Sequence, residues 1–178
     1  KQEFGTELPE LDLGGGYGIA YVDEDDPISP ETALSKLSSI VTQECKKNQI
    51  SIPSISIEPG RAIVGPAMIT VYEVGTTKDV QLDDGSTRWY ISVDGGMSDN
   101  LRTGLYQAEY SLALANRESS AELRRARIVG KHCETGDIVI RDVQVPSDIV
   151  PGDLLATPAT GAYGRSMASN YNHMVRPP

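Results

Sequence analysis

Residues 55–61 read Ile-Ser-Ile-Glu-Pro-Gly-Arg, and this stretch divides the chain into two parts with different patterns. Residues 55–58 form a short apolar strand that stops at Pro59 and Gly60, where the backbone must turn. Before it, the sequence alternates strand, helix and strand, whereas after Met68 it has the spacing of short β-strands. We therefore predict a βα part over residues 1–61 and a β domain from residue 62.

The first part predicts one βα unit that leads into a second strand. Residues 11–13 are a short apolar strand that runs into a glycine turn and a second apolar run at 19–22. A helix is predicted from Ser29, with Pro30 at its first position and Glu31 in its first turn. Its apolar residues recur every three or four positions and predict one buried stripe: Ala33, Leu34, Leu37, Ile40, Val41 and Cys45. Strand, helix and strand in this order imply parallel pairing.

The second part predicts a mostly antiparallel β domain. Apolar residues at strand spacing follow Met68, and residues 83–86 (Asp-Asp-Gly-Ser) predict a hairpin turn. Further short strands are expected at 123–129, 138–145 and 153–156. A second helix is expected only near residues 165–171.

Composition and charge exclude several classes of protein. The net charge of −9 argues against a nucleic-acid partner, which would require clustered Lys and Arg. Cys45 and Cys133 form neither a disulfide framework nor metal-ligand spacing, so we expect no metal site and a cytoplasmic, reducing compartment. No segment approaches the ~18 apolar residues of a membrane span.

Two turns of the first part carry residues suited to binding. Residues 14–18 (Gly-Gly-Gly-Tyr-Gly) follow a strand, and successive glycines let backbone amides converge on a phosphate. Taken alone, this run is better explained as a tight turn, because the G-x-G-x-x-G spacing is not met. Glu58 and Arg61 lie at the carboxyl end of a βα strand, where a carboxylate can pair with a protonated pyridine nitrogen and arginine can bind an anion. A surface Glu–Arg pair is the alternative.

Three turns of the β part carry further candidates. Residues 94–102 are polar and glycine-containing and lead to Tyr106, which fits a binding loop or a plain surface connection. Cys133 lies between His132 and Glu134, where its thiol could be tuned for proton transfer, although a buried structural cysteine is the competing interpretation. Tyr163 follows a glycine turn and could bind a phosphate or substrate group, or pack as a core tyrosine.

Five segments in this order resemble the diaminopimelate decarboxylase family, pyridoxal-phosphate enzymes built from an alanine-racemase-like barrel and a C-terminal β domain. The matching segments are LDLGGGYGIAY (11–21), SIEPGRAIVGPA (56–67), VDGGMSDNLRTGLY (93–106), GKHCETGDI (130–138) and ATGAYGRSMASNYN (159–172). The resemblance implies that residues 1–61 are the last βα units of a TIM-type (β/α)₈ barrel. It further implies a β-sandwich or Greek-key-like domain over 62–162 and a return segment toward the barrel over 163–178.

The resemblance implies a homodimer that removes carbon dioxide from meso-diaminopimelate to give L-lysine, the last step of lysine biosynthesis. The cofactor, pyridoxal 5'-phosphate, would be held by Gly16, Glu58, Gly60, Arg61 and Tyr163, with Glu58 on the ring nitrogen and the others on the phosphate. The implied substrate-binding residues are Arg61, Arg102, Tyr106, Glu134 and Tyr163, and Cys133 is the implied proton donor. In this family the Cys and Glu act across the dimer interface.

The family's cofactor-anchoring (Schiff-base) lysine belongs to an early barrel strand in a Tyr-Ala-x-Lys-Ala setting. No lysine of this chain has that setting: Lys1, Lys36, Lys46, Lys47, Lys78 and Lys131. We therefore expect a C-terminal fragment of a longer enzyme, inactive by itself. Two alternatives stay open: a decarboxylase of ornithine, arginine or lysine, and a non-catalytic binding or dimerisation module. Ornithine and arginine decarboxylases typically have Cys-Asp in this motif.

Overall fold

The computed structural model describes residues 5–176, in which a short βαβ unit precedes a six-stranded sheet. The βαβ unit consists of β1 (Glu10–Asp12), α1 (Pro30–Lys47) and β2 (Ser54–Ser56). The strands β1 and β2 pair in parallel, with Leu11 opposite Ile55, as the alternation of elements predicted. Helix α1 begins where predicted, because the Ser29 hydroxyl accepts the amide of Thr32 at 3.2 Å.

The second apolar run, at 19–22, lies in a turn, because the amides of Tyr21 and Val22 both donate to the Asp25 carboxylate. One expectation for this unit differs from the structure. The apolar stripe of α1 is only partly buried, since Leu34 and Ile40 are 38% and 56% exposed. Two three-residue strands are too small to cover an 18-residue helix.

The second part contains six strands and two short helices. A short helix α2 (Arg61–Val64) leads into a 3₁₀ turn at Gly65–Ala67. The strands are β3 (Thr70–Gln81), β4 (Thr87–Val93), β5 (Ala113–Leu114), β6 (Leu123–Val129), β7 (Ile138–Pro146) and β8 (Leu154–Thr157), with α3 (Arg102–Tyr106) between β4 and β5. In place of the helix expected at 165–171, two 3₁₀ turns occupy Arg165–Met167 and Tyr171–His173, and Asn172 has a positive φ of 52°.

The six strands lie in one connected sheet with the order β5-β8-β3-β4-β6-β7. The edge strands β5 and β7 approach each other, so that the sheet curls nearly into a barrel. The mostly antiparallel prediction is confirmed, with one exception: β4 and β6 pair in parallel, Trp89 opposite Ala126. A parallel pair requires a long crossover connection, and residues 94–122 supply it.

The core lies on one face of this curled sheet. Alternate residues of β4 are buried at Trp89, Ile91 and Val93, as the period of a strand requires. Facing side chains of the other strands complete the core: Tyr72, Val74, Ala126, Ile128, Val139, Ile140, Val145 and Leu155. Within residues 5–176, no helix is both long and apolar enough to cross a membrane.

Candidate active site

The directions of the strands bring the sequence motifs to one end of the sheet. Strand β6 is parallel to β4, and β8 is antiparallel to β3, which is itself antiparallel to β4. The strands β4, β6 and β8 therefore run in the same direction. The loops that follow these three strands therefore lie at the same end of the sheet, which is also the end at which β3 begins after α2. These loops are residues 94–101, 130–137 and 158–164.

The glycine run lies against the end of β2. The amide of Glu58 donates to the carbonyl of Gly14 at 2.8 Å, and a Cβ on Gly15 would stand 2.3 Å from the Glu58 carbonyl oxygen. Gly14 and Gly16 have positive φ values of 73° and 90°, which favour glycine. The glycines are thus required by this close approach, which a plain surface turn would not need.

The loop after β8 docks on α2 and the turn that follows it. The amide of Gly161 donates to the carbonyl of Gly65 at 3.1 Å, and a Cβ on Gly161 would stand 1.8 Å from the Val64 carbonyl oxygen. This contact brings the Tyr163 ring to 6.0 Å from the Cζ of Arg61. Tyr163 is 48% exposed and has a φ of 60°, so it is not an ordinary core tyrosine.

Arg102, the first residue of α3, reaches the same ring. Its Cζ lies 5.9 Å from the centroid of Tyr163, 4.5 Å from that of Tyr21 and 5.5 Å from that of Tyr110. The Nη1 of Arg102 donates to the Tyr110 hydroxyl at 2.5 Å. The structure therefore gathers Glu58, the glycine run, Arg61, Tyr163 and Arg102 into one group, which we call the anion group.

The anion group has unused donors that fit a phosphate. The Nε of Arg61 is buried and has no partner within residues 5–176. Among the described residues, the amides of Gly16, Gly60 and Arg61 donate to no protein acceptor. Nothing lies within 4 Å of the position that a Cβ would take at Gly16. Open space beside several free donors suits an anion better than it suits a packed turn.

A second group forms around the turn of residues 132–137, which we call the thiol turn. The buried carboxylate of Asp137 accepts the amides of Met97 and His132, both at 2.6 Å. A Cβ at Gly96 or Gly130 would stand 2.5 or 2.3 Å from an Asp137 oxygen. One carboxylate therefore ties the loop after β4 to the loop after β6.

A second aspartate holds the loop after β4. Asp99 accepts the hydroxyl of Tyr72 and the amide of Gly96, both at 2.6 Å. Burial raises the pKa of the Asp99 carboxyl above its ordinary value. A Cβ at Gly95 would stand 2.1 Å from the Tyr72 ring, so this glycine lets the loop lie directly on the core.

The thiol turn presents Cys133 and Glu134 to the outside. Cys133 is an exposed free thiol, which argues against a buried structural cysteine, whereas Cys45 is buried in α1 as expected. Glu134 accepts the amide of Gly136 at 3.3 Å, the Thr135 hydroxyl at 3.2 Å and the Tyr171 hydroxyl at 3.3 Å. These hydrogen bonds lower the pKa of the Glu134 carboxyl and favour its charged form, and the one from the Gly136 amide has the largest effect.

His132 connects the thiol turn to its neighbours and leaves one nitrogen free. Its Nε2 lies 2.8 Å from the Ser98 hydroxyl, and its ring packs edge-on against Tyr171 at 5.4 Å. The buried Nδ1 has no partner in the part of the chain that the structure describes. His132 therefore supports the fold of the turn.

Helix α3 reaches both groups. Arg102 at its start belongs to the anion group, while a Cβ on Gly104 would stand 3.6 Å from the Gly136 carbonyl oxygen of the thiol turn. Tyr106 at the end of α3 is 62% exposed. Within residues 5–176, however, no hydrogen bond, ion pair or ring contact joins Cys133 or Glu134 to Glu58, Arg61 or Tyr163.

Several contributing residues escaped the sequence analysis. Tyr21 and Tyr110 surround Arg102, and Asp137 orders the thiol turn. Tyr21 and Asp137 stand within the matching segments 11–21 and 130–138, but the sequence analysis assigned no role to either of them or to Tyr110. The Gly-Asp pair at 136–137 is the one signal that could have indicated a turn-forming carboxylate. No three His, Cys, Asp or Glu side chains among the described residues are grouped to hold a metal ion.

A comparison with protein families identifies the class of protein to which this curled sheet, with two polar groups at one end, belongs. The family model for the pyridoxal-dependent decarboxylase C-terminal sheet domain matches residues 21–161. This chain therefore belongs to the pyridoxal-dependent decarboxylase family, through its C-terminal sheet domain.

Known relatives narrow the similarity further. The chain is 52% identical to the diaminopimelate decarboxylases of Corynebacterium efficiens, over 98% of this chain and 38% of that protein, and of Mycobacterium tuberculosis, over 98% and 40%. Among solved structures it resembles diaminopimelate decarboxylase from Helicobacter pylori complexed with L-lysine, with a TM-score of 0.78, 30% identity and coverage of 98% and 40%. It thus spans about two fifths of the length of these relatives.

Proposed function

We propose that this chain is the C-terminal part of a meso-diaminopimelate decarboxylase, which forms L-lysine and carbon dioxide with pyridoxal 5'-phosphate. The observation that carries the proposal is the 52% identity to diaminopimelate decarboxylases along 98% of the chain. The Glu of the His-Cys-Glu-Thr-Gly-Asp turn supports it, because ornithine and arginine decarboxylases typically have Asp at this place. A cytoplasmic location stays a prediction.

The residues up to 61 are, in this proposal, the last βα units of a (β/α)₈ barrel. The parallel pairing of β1 and β2 through α1 supports this assignment. So does the exposed apolar surface of this segment, since an incomplete barrel leaves apolar side chains uncovered: Leu8, Leu34, Ile40, Ile50 and Ile52. Residues 62–162 then form the sheet domain. The proposed return segment toward the barrel, 163–178, is supported by the contact between Tyr163 and Arg61, and its last two residues lie outside the described part of the chain.

The anion group is proposed to hold the cofactor. The amides of Gly16, Gly60 and Arg61 and the hydroxyl of Tyr163 would bind its phosphate, and the Glu58 carboxylate would pair with its ring nitrogen. When bound, pyridoxal phosphate supplies an electron sink for the electron pair released with carbon dioxide. Glu58 would favour this chemistry by keeping the ring nitrogen protonated.

The remaining site residues would bind substrate and deliver a proton. Arg61 and Arg102 are suited to carboxylates. The family resemblance assigns substrate binding to Tyr106 as well, the exposed last residue of α3. Glu134, held in its charged form, would bind the distal ammonium group of the substrate. The Cys133 thiol would donate a proton to the carbon that has lost carbon dioxide.

Cys133 and Glu134 are proposed to act in the active site of a partner subunit of a homodimer. Both are exposed, and in one chain neither contacts the anion group. An exposed thiol and a charged carboxylate on a rigid turn are suited to completing another subunit's site. A monomer would accordingly lack the proton donor.

The experiment is a substrate comparison with the longer protein that contains this chain and a lysine-bearing barrel. We expect lysine and carbon dioxide from meso-diaminopimelate, and turnover of ornithine, arginine and lysine at least about a hundredfold slower. The 178-residue chain alone should be inactive. Preferred turnover of ornithine, arginine or lysine would replace this proposal with the first alternative, and failure to bind pyridoxal phosphate would favour the non-catalytic module.

A further inference from the structure

Among the described residues, Arg102 is a buried cation without a carboxylate partner. It is 8% exposed, and within residues 5–176 no acidic side chain forms an ion pair with it. The hydrogen bond to Tyr110 is the one that its guanidinium makes to these residues. A buried charge is costly unless it is paired, so the remaining N–H groups are suited to receive an anion.

Two tyrosines fix the position of this cation without neutralising it. The Tyr21 and Tyr110 rings stand edge to face, with centroids 5.4 Å apart and planes at 84°, and the Arg102 Cζ lies 4.5 and 5.5 Å from them. Aromatic faces attract a guanidinium but carry no net charge. An acidic partner would have cancelled the charge that an incoming anion must meet.

The two tyrosines contribute differently. Tyr110 uses its hydroxyl, which accepts the Nη1 proton at 2.5 Å and so fixes the rotation of the guanidinium. The Tyr21 hydroxyl is buried and has no partner among the residues that the structure describes, so the ring of Tyr21 supplies the contact with Arg102. The amide of Ser111 donates to the Tyr21 carbonyl at 3.0 Å and holds the segment of Tyr110 against that of Tyr21.

We infer that Tyr110 is a positioning residue that orients Arg102 toward the substrate carboxylate that is retained in the product. This inference rests on the proposed function. Arg61 and Arg102 both lie within 6.0 Å of the Tyr163 ring, so within the anion group Arg102 is close to the residues proposed to bind the cofactor phosphate. A permanently charged, immobilised guanidinium there suits a carboxylate that must be held throughout the reaction.

The test is Tyr110→Phe in the full-length dimer, which removes the hydroxyl and keeps the ring. Tyr90→Phe is the matched control, because the Tyr90 ring lies 6.0 Å from the Arg127 Cζ, and both residues lie within β4 and β6 and not in the loops that form the site. For Tyr110→Phe we expect KM for meso-diaminopimelate to rise about tenfold, with a smaller change in kcat. Binding of L-lysine, which keeps the carboxylate, should weaken about tenfold, whereas binding of cadaverine, which lacks it, should not change.

Three results would decide against the inference. One is an unchanged KM and an unchanged L-lysine affinity in a folded Tyr110→Phe protein. Another is equal weakening of L-lysine and cadaverine, since that would indicate general loss of packing. A third is the same effect from Tyr90→Phe. If the parent enzyme does not turn over meso-diaminopimelate, the proposed function fails instead, and the comparison of L-lysine with cadaverine still tests Tyr110.

Discussion

The carboxylate of Asp137 accepts a hydrogen bond from the backbone amide of His132 at 2.6 Å, and this bond stabilises the turn that carries Cys133. Its other oxygen accepts the amide of Met97 at 2.6 Å. A buried carboxylate satisfied by two amides is a rigid connection between loops. The position of the thiol is thus determined by a residue that is itself hidden from any substrate.

Asp137→Asn should destabilise the chain and loosen the thiol turn. An asparagine would direct an NH₂ group at one of the two amides, and we expect the free energy of unfolding to fall by about 2 to 3 kcal/mol. Urea unfolding at pH 7 measures this, and hydrogen exchange at the His132 and Met97 amides should accelerate. Asp84→Asn is the control, because Asp84 also accepts an amide in a turn but is exposed. Equal losses for both variants would contradict the assigned role.

Gly161→Ala should disrupt the docking of the Tyr163 loop on α2. The new Cβ would stand 1.8 Å from the Val64 carbonyl oxygen, so backbone must shift, at a cost of about 1 to 3 kcal/mol. Thermal unfolding measures the loss, and pyridoxal-phosphate affinity in the full-length protein should fall with it. Gly18→Ala is the matched control, since its Cβ would only touch Pro27 at 3.4 Å. A Gly161→Ala protein as stable as Gly18→Ala would refute the close approach.

Cys133→Ala should abolish most lysine formation in the full-length enzyme while leaving cofactor binding intact. Loss of a positioned proton donor typically costs about a hundredfold or more in rate. The chain provides its own control, because Cys45 is a buried thiol in α1. Cys45→Ala should lower stability slightly through a small cavity but keep turnover. If Cys133→Ala retained full lysine formation, the proton-donor assignment would be wrong.

The acid stability of the sheet domain should depend on Asp153. Arg117 donates to the buried carboxylate from Nε at 2.9 Å and from Nη2 at 2.8 Å, and lowers the pKa of Asp153 below its ordinary value. The stabilisation is therefore complete above the unfolded carboxyl pKa, about 3.9, and is lost as the pH falls toward the lower folded value.

Asp153→Asn should lower the free energy of unfolding by about 1 to 3 kcal/mol at pH 7. In this variant the free energy of unfolding should also decrease less than in the parent as the pH is lowered from about 5 to about 2. Urea unfolding across this range measures both effects. Asp79→Asn, which breaks the exposed pair with Arg124, should change little. An Asp153→Asn protein with the parent's pH profile would show that the pair contributes no pH-dependent stability.

The sequence by itself determined the elements whose causes are local. Ser29 caps α1 because its hydroxyl meets an amide three residues away, and the predicted strand at 123–129 is β6. The motif at 132–137 identified the exposed thiol through a family resemblance. Prediction failed near the C-terminus, where two 3₁₀ turns, with a positive φ at Asn172, replace the helix expected at 165–171.

Only the tertiary structure decided how the motifs meet. The parallel pairing of β4 with β6 depends on a crossover whose direction no local pattern specifies, and it places the loops of Asp99 and Cys133 side by side. The rings around Arg102 come from residues 21, 110 and 163, which are far apart in the chain. Local backbone preferences act over a few residues, whereas these contacts arise when distant strands pack to bury one core.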